Sequence, residues 1–328
     1  MSPRNIRKTK EIKVLTIMVI TIAFFIFIPK IPKKHELDFK SLSLFPPDKK
    51  DNKHPIVFLH IGKCGGTSFD FAMWRASKYK RNLKRYVGFF HFDWSYIDKR
   101  FGFDVKVLTI LRHPVDRAIS HFNFAKTCAW TKGMKMRNQT MTEYLDDAES
   151  MLETRKIWMD GEAGVMWLAG LHVDFTWVTT SGTDVEKREA IFDDTNFVAM
   201  LTVERLLNTT WFGVLEDMDR SMKMLSSTLG TNVTLGIRNE NKHEDENEEV
   251  RKKLADLMQF DIWMYEYALQ VFEARWKYYL GYKNVEVPMP SYLPERKCKS
   301  TVKKFECKNA EAMGSFNIIH HNPFITTH

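Results

Sequence analysis

The stretch His60-Ile61-Gly62-Lys63-Cys64-Gly65-Gly66-Thr67-Ser68 constrains this chain more than any other. The apolar block before it, Ile56-Val57-Phe58-Leu59, carries β-branched residues and reads as a buried strand. Phe69-Asp70-Phe71-Ala72-Met73-Trp74-Arg75 follows and reads as the start of a helix. A strand, a glycine turn and a helix in that order make an anion cradle. The glycines admit close approach of the backbone, and the first helical N–H groups point at the ligand. Lys63 places a positive charge inside the turn, and Thr67 and Ser68 bring hydroxyls to the helix start. Lys63, Gly65, Gly66, Thr67 and Ser68 are therefore the expected binders of a phosphate or phosphosulfate. The alternative is a tight turn with a chance lysine.

The lysine precedes the glycines, so this is not the G-x-x-x-x-G-K-[ST] loop of nucleotide triphosphatases. A second cluster, Leu111-Arg112-His113-Pro114-Val115-Asp116-Arg117-Ala118-Ile119-Ser120, joins a strand expected over 105–111 to a helix opening at Pro114. Arg112 at the strand end and Ser120 two helical turns on could clamp one phosphate. An incidental surface arginine is the competing reading. Between the clusters lies Phe90-His91-Phe92-Asp93-Trp94-Ser95, in a turn-rich aromatic stretch. A histidine there is either structural or a proton acceptor.

The rest of the body alternates strands and helices. Helices are expected near 140–157 and 161–171, a strand over Phe197–Thr202, and another over Trp211–Leu215 leading into a helix over 217–229. One long amphipathic helix is expected over 244–277, acidic at its start and basic near its end. The fold class is α/β, a central parallel sheet flanked by helices.

These motifs resemble those of membrane-bound carbohydrate sulfotransferases. The first resembles their 5′-phosphosulfate loop, H-I-x-K-T-G-G-T-[ST], and the second their 3′-phosphate element, L-R-[DH]-P-V-x-R-x-x-S. The third is similar to the H-x-D-W-[ST] segment of heparan sulfate 6-O-sulfotransferases. Supporting similarity runs through Glu162–Gly170, Phe212–Glu216 and Asp261–Phe272, so the resemblance covers roughly residues 55–280. It implies the P-loop-like fold of sulfotransferases dependent on 3′-phosphoadenylyl sulfate (PAPS), with transfer of a sulfuryl group to a glycan hydroxyl. The 6-O position of a glucosamine in heparan sulfate is the specific candidate. By the same resemblance His91 is the general base and Lys63 stabilises the leaving oxygen. Arg112 and Ser120 bind the 3′-phosphate, and Trp94 and Trp130 contact the acceptor. The sequence departs from the pattern at Cys64, where the family has threonine, and at Phe124, where the 6-O enzymes have a histidine. The segment between loop and His91 is also shorter. A sulfotransferase-like module that binds PAPS or glycan without turnover is the alternative function, and a phosphotransferase a further one. No His/Cys set has metal-ligand spacing, so no metal is implied.

Of the net charge of +8, +7 lies in residues 1–34, so the basic balance does not mark a nucleic-acid surface. The uncharged apolar run 14–28 reads as a transmembrane signal-anchor. A cleaved signal peptide competes, but Phe27-Ile28-Pro29-Lys30 offers no small-residue cleavage site. The expected organisation is a cytoplasmic tail (1–13), the anchor (14–28), a stem (29–54), a catalytic domain (55–285) and a C-terminal tail (286–328). That organisation describes a single-pass type II protein of the Golgi membrane with a luminal body, and sequons at Asn138, Asn208 and Asn232 agree with it. A luminal address permits a disulfide between Cys298 and Cys307, while Cys64 and Cys128 suit buried thiols. The basic run Lys78, Lys80, Arg81, Lys84 and Arg85 either steers an anionic glycan toward the site or is a solvated helix face.

Overall fold

Strand β1, Ile56–Leu59, is buried along its whole length and forms the axis of a four-stranded sheet. The computed structural model describes residues 54–88, 91, 93–102, 105–147, 150, 163–170, 195–235, 247–288 and 290, all within one unit spanning Leu42–His328. β1 pairs in parallel with β2 (Tyr86–Val87) on one side and β3 (Lys106–Leu111) on the other; β3 pairs in parallel with β4 (Trp211–Val214). The register sets Ile56 opposite both Tyr86 and Lys106, and Leu111 opposite Val214. Covering on both faces explains the near-continuous apolar runs of β1, β3 and β4. The one buried polar residue of β3, Thr109, satisfies its hydroxyl on the Leu59 carbonyl at 2.8 Å.

The strand order β2-β1-β3-β4 puts the reversal of winding between β1 and β3. In open parallel sheets the crevice beyond the carboxyl ends of such a pair receives ligands. The loop after β1 leads into helix α1 (Gly66–Tyr79), and the turn after β3 leads into α3 (Pro114–Thr127), with Pro114 in the first turn. Helix α2 (Trp94–Phe101) precedes β3. The remaining helices are α4 (Met141–Asp146), α5 (Ala163–Leu168), α6 (Thr195–Asn208), α7 (Met218–Leu229), α8 (Glu248–Leu257) and α9 (Gln259–Tyr279). α7 and α9 pack on β4. α8 closes a second cluster in which Val250, Leu254 and Met258 meet Val115, Ile119 and Phe122 of α3. Arg251 and Lys253 latch that helix to Asp116 and Asp146 at 2.7 and 2.9 Å.

Two expectations are corrected. Phe197–Thr202 is not a strand but part of α6. Its buried residues, Val198, Ala199, Thr202, Val203, Leu206 and Leu207, recur at helical spacing once the window extends past Thr202. The helix expected over 244–277 is two helices, broken at Met258, which leaves helical geometry at φ −118° and ψ 32°. The segments 1–53, 151–162, 171–194, 236–246 and 291–328 lie outside the described residues. The apolar run 14–28, Cys298 and Cys307 fall there. Among the described residues no helix is long and apolar enough to cross a membrane.

Candidate active site

The glycine loop turns at two left-handed positions, Lys63 at φ 68° and Gly65 at φ 79°, on either side of Cys64. Such alternation gathers backbone N–H groups into an anion-binding concavity. A lysine with positive φ is strained by about 1–2 kcal/mol, and the surroundings hold it there. Arg112 donates from Nη1 to the Lys63 carbonyl at 3.2 Å. The Lys63 ammonium lies 4.2 Å from the centre of the Phe124 ring of α3. Burial, and secondarily Arg112, hold its pKa below the ordinary lysine value. Gly66 is required by close approach, because a Cβ there would strike the His60 imidazole. A Cβ at Gly62 would meet nothing within 4 Å, so that side of the loop is open.

Helix α1 starts at Gly66, which places exposed Thr67 and half-buried Ser68 in its first turn. Cys64 points inward. It is 2 % exposed, its Sγ sits 3.8 Å from the Gly62 carbonyl, and burial pushes its thiol up to about 12. It is a neutral packing residue rather than a substitute for a hydroxyl facing the ligand.

Arg112 directly follows β3, half-buried and beside the loop it braces. The turn behind it is fixed by Glu216, whose Oε1 accepts the His113 N–H at 2.8 Å while Oε2 accepts the Tyr265 hydroxyl at 2.8 Å. Leu215, next to it, lies against Gly65. Ser120, the expected partner of Arg112, is 4 % exposed within α3 and presents little surface to a phosphate. Arg117, one turn earlier, faces Asp261 at 3.9 Å, and Asp261 caps α5 by accepting the N–H groups of Gly164 and Val165 at 3.0 and 2.8 Å.

His91 stands beside the loop. Its Nδ1 is 3.0 Å from the His60 carbonyl oxygen, its ring centre is 4.4 Å from that of His60, and it meets Trp167 edge-on at 5.6 Å. Asp93, two residues on, caps α2 by accepting the Tyr96 N–H at 2.9 Å and the Ser95 hydroxyl at 2.8 Å. The histidine thus sits just ahead of a capped helix. Trp94 is 7 % exposed and lies 5.8 Å from the Arg205 guanidinium, so its ring packs inside rather than lining an open surface. Trp130 belongs to the short 3₁₀ turn Ala129–Thr131, and its side chain is outside the described residues.

The basic run is displaced from this site. Helix α1 carries the chain about 21 Å away from the loop at 1.5 Å per residue. The Arg85 carbonyl then accepts the Ile56 N–H at 3.1 Å, at the opposite edge of the sheet. Lys78, Lys80, Arg81, Lys84 and Arg85 are exposed there and do not line the crevice. The asparagines of all three sequons, Asn138, Asn208 and Asn232, are exposed.

The carboxyl edge of β1 and β3 therefore carries the loop, Arg112 and His91 together, while Ser120 and Trp94 are buried. Sequence reasoning did not assign Glu216 or Asp70 a role. The Phe-Gly-Val-Leu-Glu string was a signal for Glu216, whereas Asp70 had none. The sulfotransferase family model matches residues 49–268, two thirds of the chain, and the chain belongs to the sulfotransferase family. The reaction class is sulfuryl transfer, and proteins of the family generally take PAPS as donor. No curated protein matches the sequence. The residues present suit such a donor: a left-handed N–H cradle, an ammonium and a guanidinium, with an open face at Gly62. Among the described residues no group of three or more His, Cys, Asp or Glu could hold a metal ion.

Proposed function

We propose that the protein transfers the sulfuryl group of PAPS to a hydroxyl of a glycan, with the 6-O position of glucosamine in heparan sulfate as the first acceptor to test. The observation that carries this reading is the His91 imidazole beside the phosphosulfate loop, anchored through Nδ1 to the His60 carbonyl at 3.0 Å. A ring whose Nδ1 donates to a carbonyl keeps Nε2 as its basic nitrogen. The loop N–H groups, Thr67 and Ser68 bind the 5′-phosphosulfate, and Arg112 takes the 3′-phosphate. Lys63 offsets charge growing on the oxygen that leaves sulfur. His91 accepts the acceptor proton as the new sulfur–oxygen bond forms.

The setting we infer is luminal, in a type II Golgi membrane protein anchored by residues 14–28. The anchor's length, the flanking basic residues and three exposed sequon asparagines support it. The proposed organisation remains tail, anchor, stem, catalytic domain over 55–285 and C-terminal tail. Incubation with labelled PAPS and a panel of desulfated glycosaminoglycans tests the activity. Incorporation that His91→Ala abolishes while 3′,5′-adenosine bisphosphate still binds is the expected result. Binding without incorporation on any glycan would make the chain a module that holds the nucleotide without turnover.

A further inference from the structure

Behind the loop lies a buried polar chain that the reaction described above does not use. Asp70, on the second turn of α1, has no solvent exposure. Its Oδ1 accepts the Tyr86 hydroxyl, and its Oδ2 faces His60 Nδ1 at 3.1 Å. Gly88 makes room for this pair, since a Cβ there would strike both Asp70 Oδ1 and the Tyr86 hydroxyl. Burial and the adjacent Asp70 carboxylate keep Tyr86 protonated as a donor. The Asp70–His60 contact has hydrogen-bonding length but falls short of hydrogen-bond alignment, and each atom is otherwise unsatisfied. Catalytic hydrogen bonds in ligand-free enzymes are often misaligned in this way and tighten on substrate binding.

His60 is the hub. Its imidazole presses on Gly66 at the start of α1, its ring lies 4.4 Å from that of His91, and its own carbonyl receives His91 Nδ1. We propose that Asp70 is a positioning residue for sulfuryl transfer: by holding the His60 ring through Nδ1, it fixes the carbonyl that keeps His91 in its Nδ1–H tautomer. This rests on the reading of His91 as the general base. As the acceptor oxygen bonds to sulfur, its proton passes to His91 Nε2. The bond from sulfur to the bridging phosphate oxygen breaks, and 3′,5′-adenosine bisphosphate leaves. The imidazolium then donates to the His60 carbonyl, and the buried Asp70 anion behind it offsets the new positive charge without moving. A carboxylate, a histidine and a reacting group in series is an established way to orient a ring, although here the backbone of the intermediate histidine makes the second link.

The test is Asp70→Asn in the full chain, which preserves shape but leaves one side-chain oxygen to serve both Tyr86 and His60. The expected result is a fall in kcat of about 10- to 100-fold, with unchanged affinity for 3′,5′-adenosine bisphosphate. In the histidine-labelled protein, the nitrogen resonances of His91 should move from one tautomer toward a mixture. Tyr86→Phe should give a smaller loss in the same direction, and it decides the matter if Asp70→Asn does not fold. A parallel fall of kcat and nucleotide affinity, an unaltered kcat, or an unaltered His91 tautomer would each overturn the proposal. Transfer that survives in His91→Ala would overturn the general-base reading itself, whatever Asp70→Asn does.

Discussion

Glu216 accepts the backbone N–H of His113 at 2.8 Å, across 103 residues of sequence, and so ties the end of β4 to the turn that carries Arg112. The same carboxylate takes the Tyr265 hydroxyl, and burial together with Glu216 raises the pKa of that phenol. Glu216→Ala removes both acceptors. Because the carboxylate is exposed, the stability cost should be modest, about 1 kcal/mol. That corresponds to a fall of about 2–4 °C in Tm. Nucleotide affinity should fall as well, because the Arg112 turn loses its brace. Calorimetry and a nucleotide titration check the two effects together.

Arg112 braces the Lys63 carbonyl at 3.2 Å, and the proposed reading gives it the 3′-phosphate as a second partner. Arg112→Ala should weaken binding of 3′,5′-adenosine bisphosphate by roughly 1.5–3 kcal/mol, the range for a hydrogen bond to a charged group. Arg112→Lys should recover only part of this, since an ammonium cannot reproduce a planar fork that bonds the loop and a ligand at once. Full recovery by lysine would mean that the residue acts by charge alone.

Lys63 carries a pH signature. Burial first, and Arg112 second, lower its pKa from the ordinary 10.5. A lysine with a depressed value loses its proton at a lower pH than a free one. The alkaline limb of kcat/KM, which reports the free enzyme, should therefore fall below pH 10.5. Lys63→Arg keeps the cation at all working pH values, so that limb should move upward even if the rate is lower. A limb that does not move would assign the titration to another group.

Much of this was legible in the chain. The apolar block before the loop, the glycines after Lys63 and Pro114 after β3 each have local causes, and the structure puts β1, β3 and the openings of α1 and α3 there. The start of α6 reads as a strand because a continuous apolar run looks the same on a buried strand and a buried helix; only the positions after Thr202 reveal the period. The start of α8 had a readable signal in Asn247, whose side chain accepts the Val250 N–H at 2.9 Å. The break at Met258 had none, since it is set by how α8 packs on α3 and α4 while α9 packs on β4. Asp93 as a helix cap was also available, and would have placed α2 directly after His91. The burial of Ser120 and Trp94 was not legible, because a motif fixes which residues are near the crevice and not which way the packing turns them.

Asp261 links two parts of the body through a buried carboxylate, 1 % exposed, that caps α5 and faces Arg117. Asp261→Ala strands the N–H groups of Gly164 and Val165, at about 1–3 kcal/mol each, and should reduce the urea midpoint sharply. Asp261→Asn adds a pH test. Burial is the largest influence on this carboxyl and raises its pKa above 3.8, against the opposing pull of Arg117 and the two N–H groups. A raised carboxyl contributes stability that is complete below its unfolded pKa and is lost as pH rises through its folded one. Asparagine does not titrate, so the stability gap between wild type and Asp261→Asn should narrow as the pH rises from acid toward neutral. A gap that widens would mean that the carboxylate form is the one the fold prefers.

The three sequons are not equivalent in the fold. Thr140 of the first caps α4, its hydroxyl accepting the Glu143 N–H at 3.2 Å and meeting the Glu143 carboxylate at 3.0 Å. Asn208 of the second closes α6, and Thr210 is half-buried. Only in the third are Asn232 and Thr234 both exposed without either serving as a helix cap or ending a helix. If the body is luminal, Asn232 should therefore be the most fully occupied position. Protein purified from secretory cells should lose mass on treatment with an N-glycosidase, and Asn232→Gln should remove the largest share of that shift. The same treatment leaving the mass unaltered would count directly against a luminal body. A shift that persists in Asn232→Gln at full size would move occupancy to the sequons engaged in helix ends, where attachment must precede the capping that the folded chain shows.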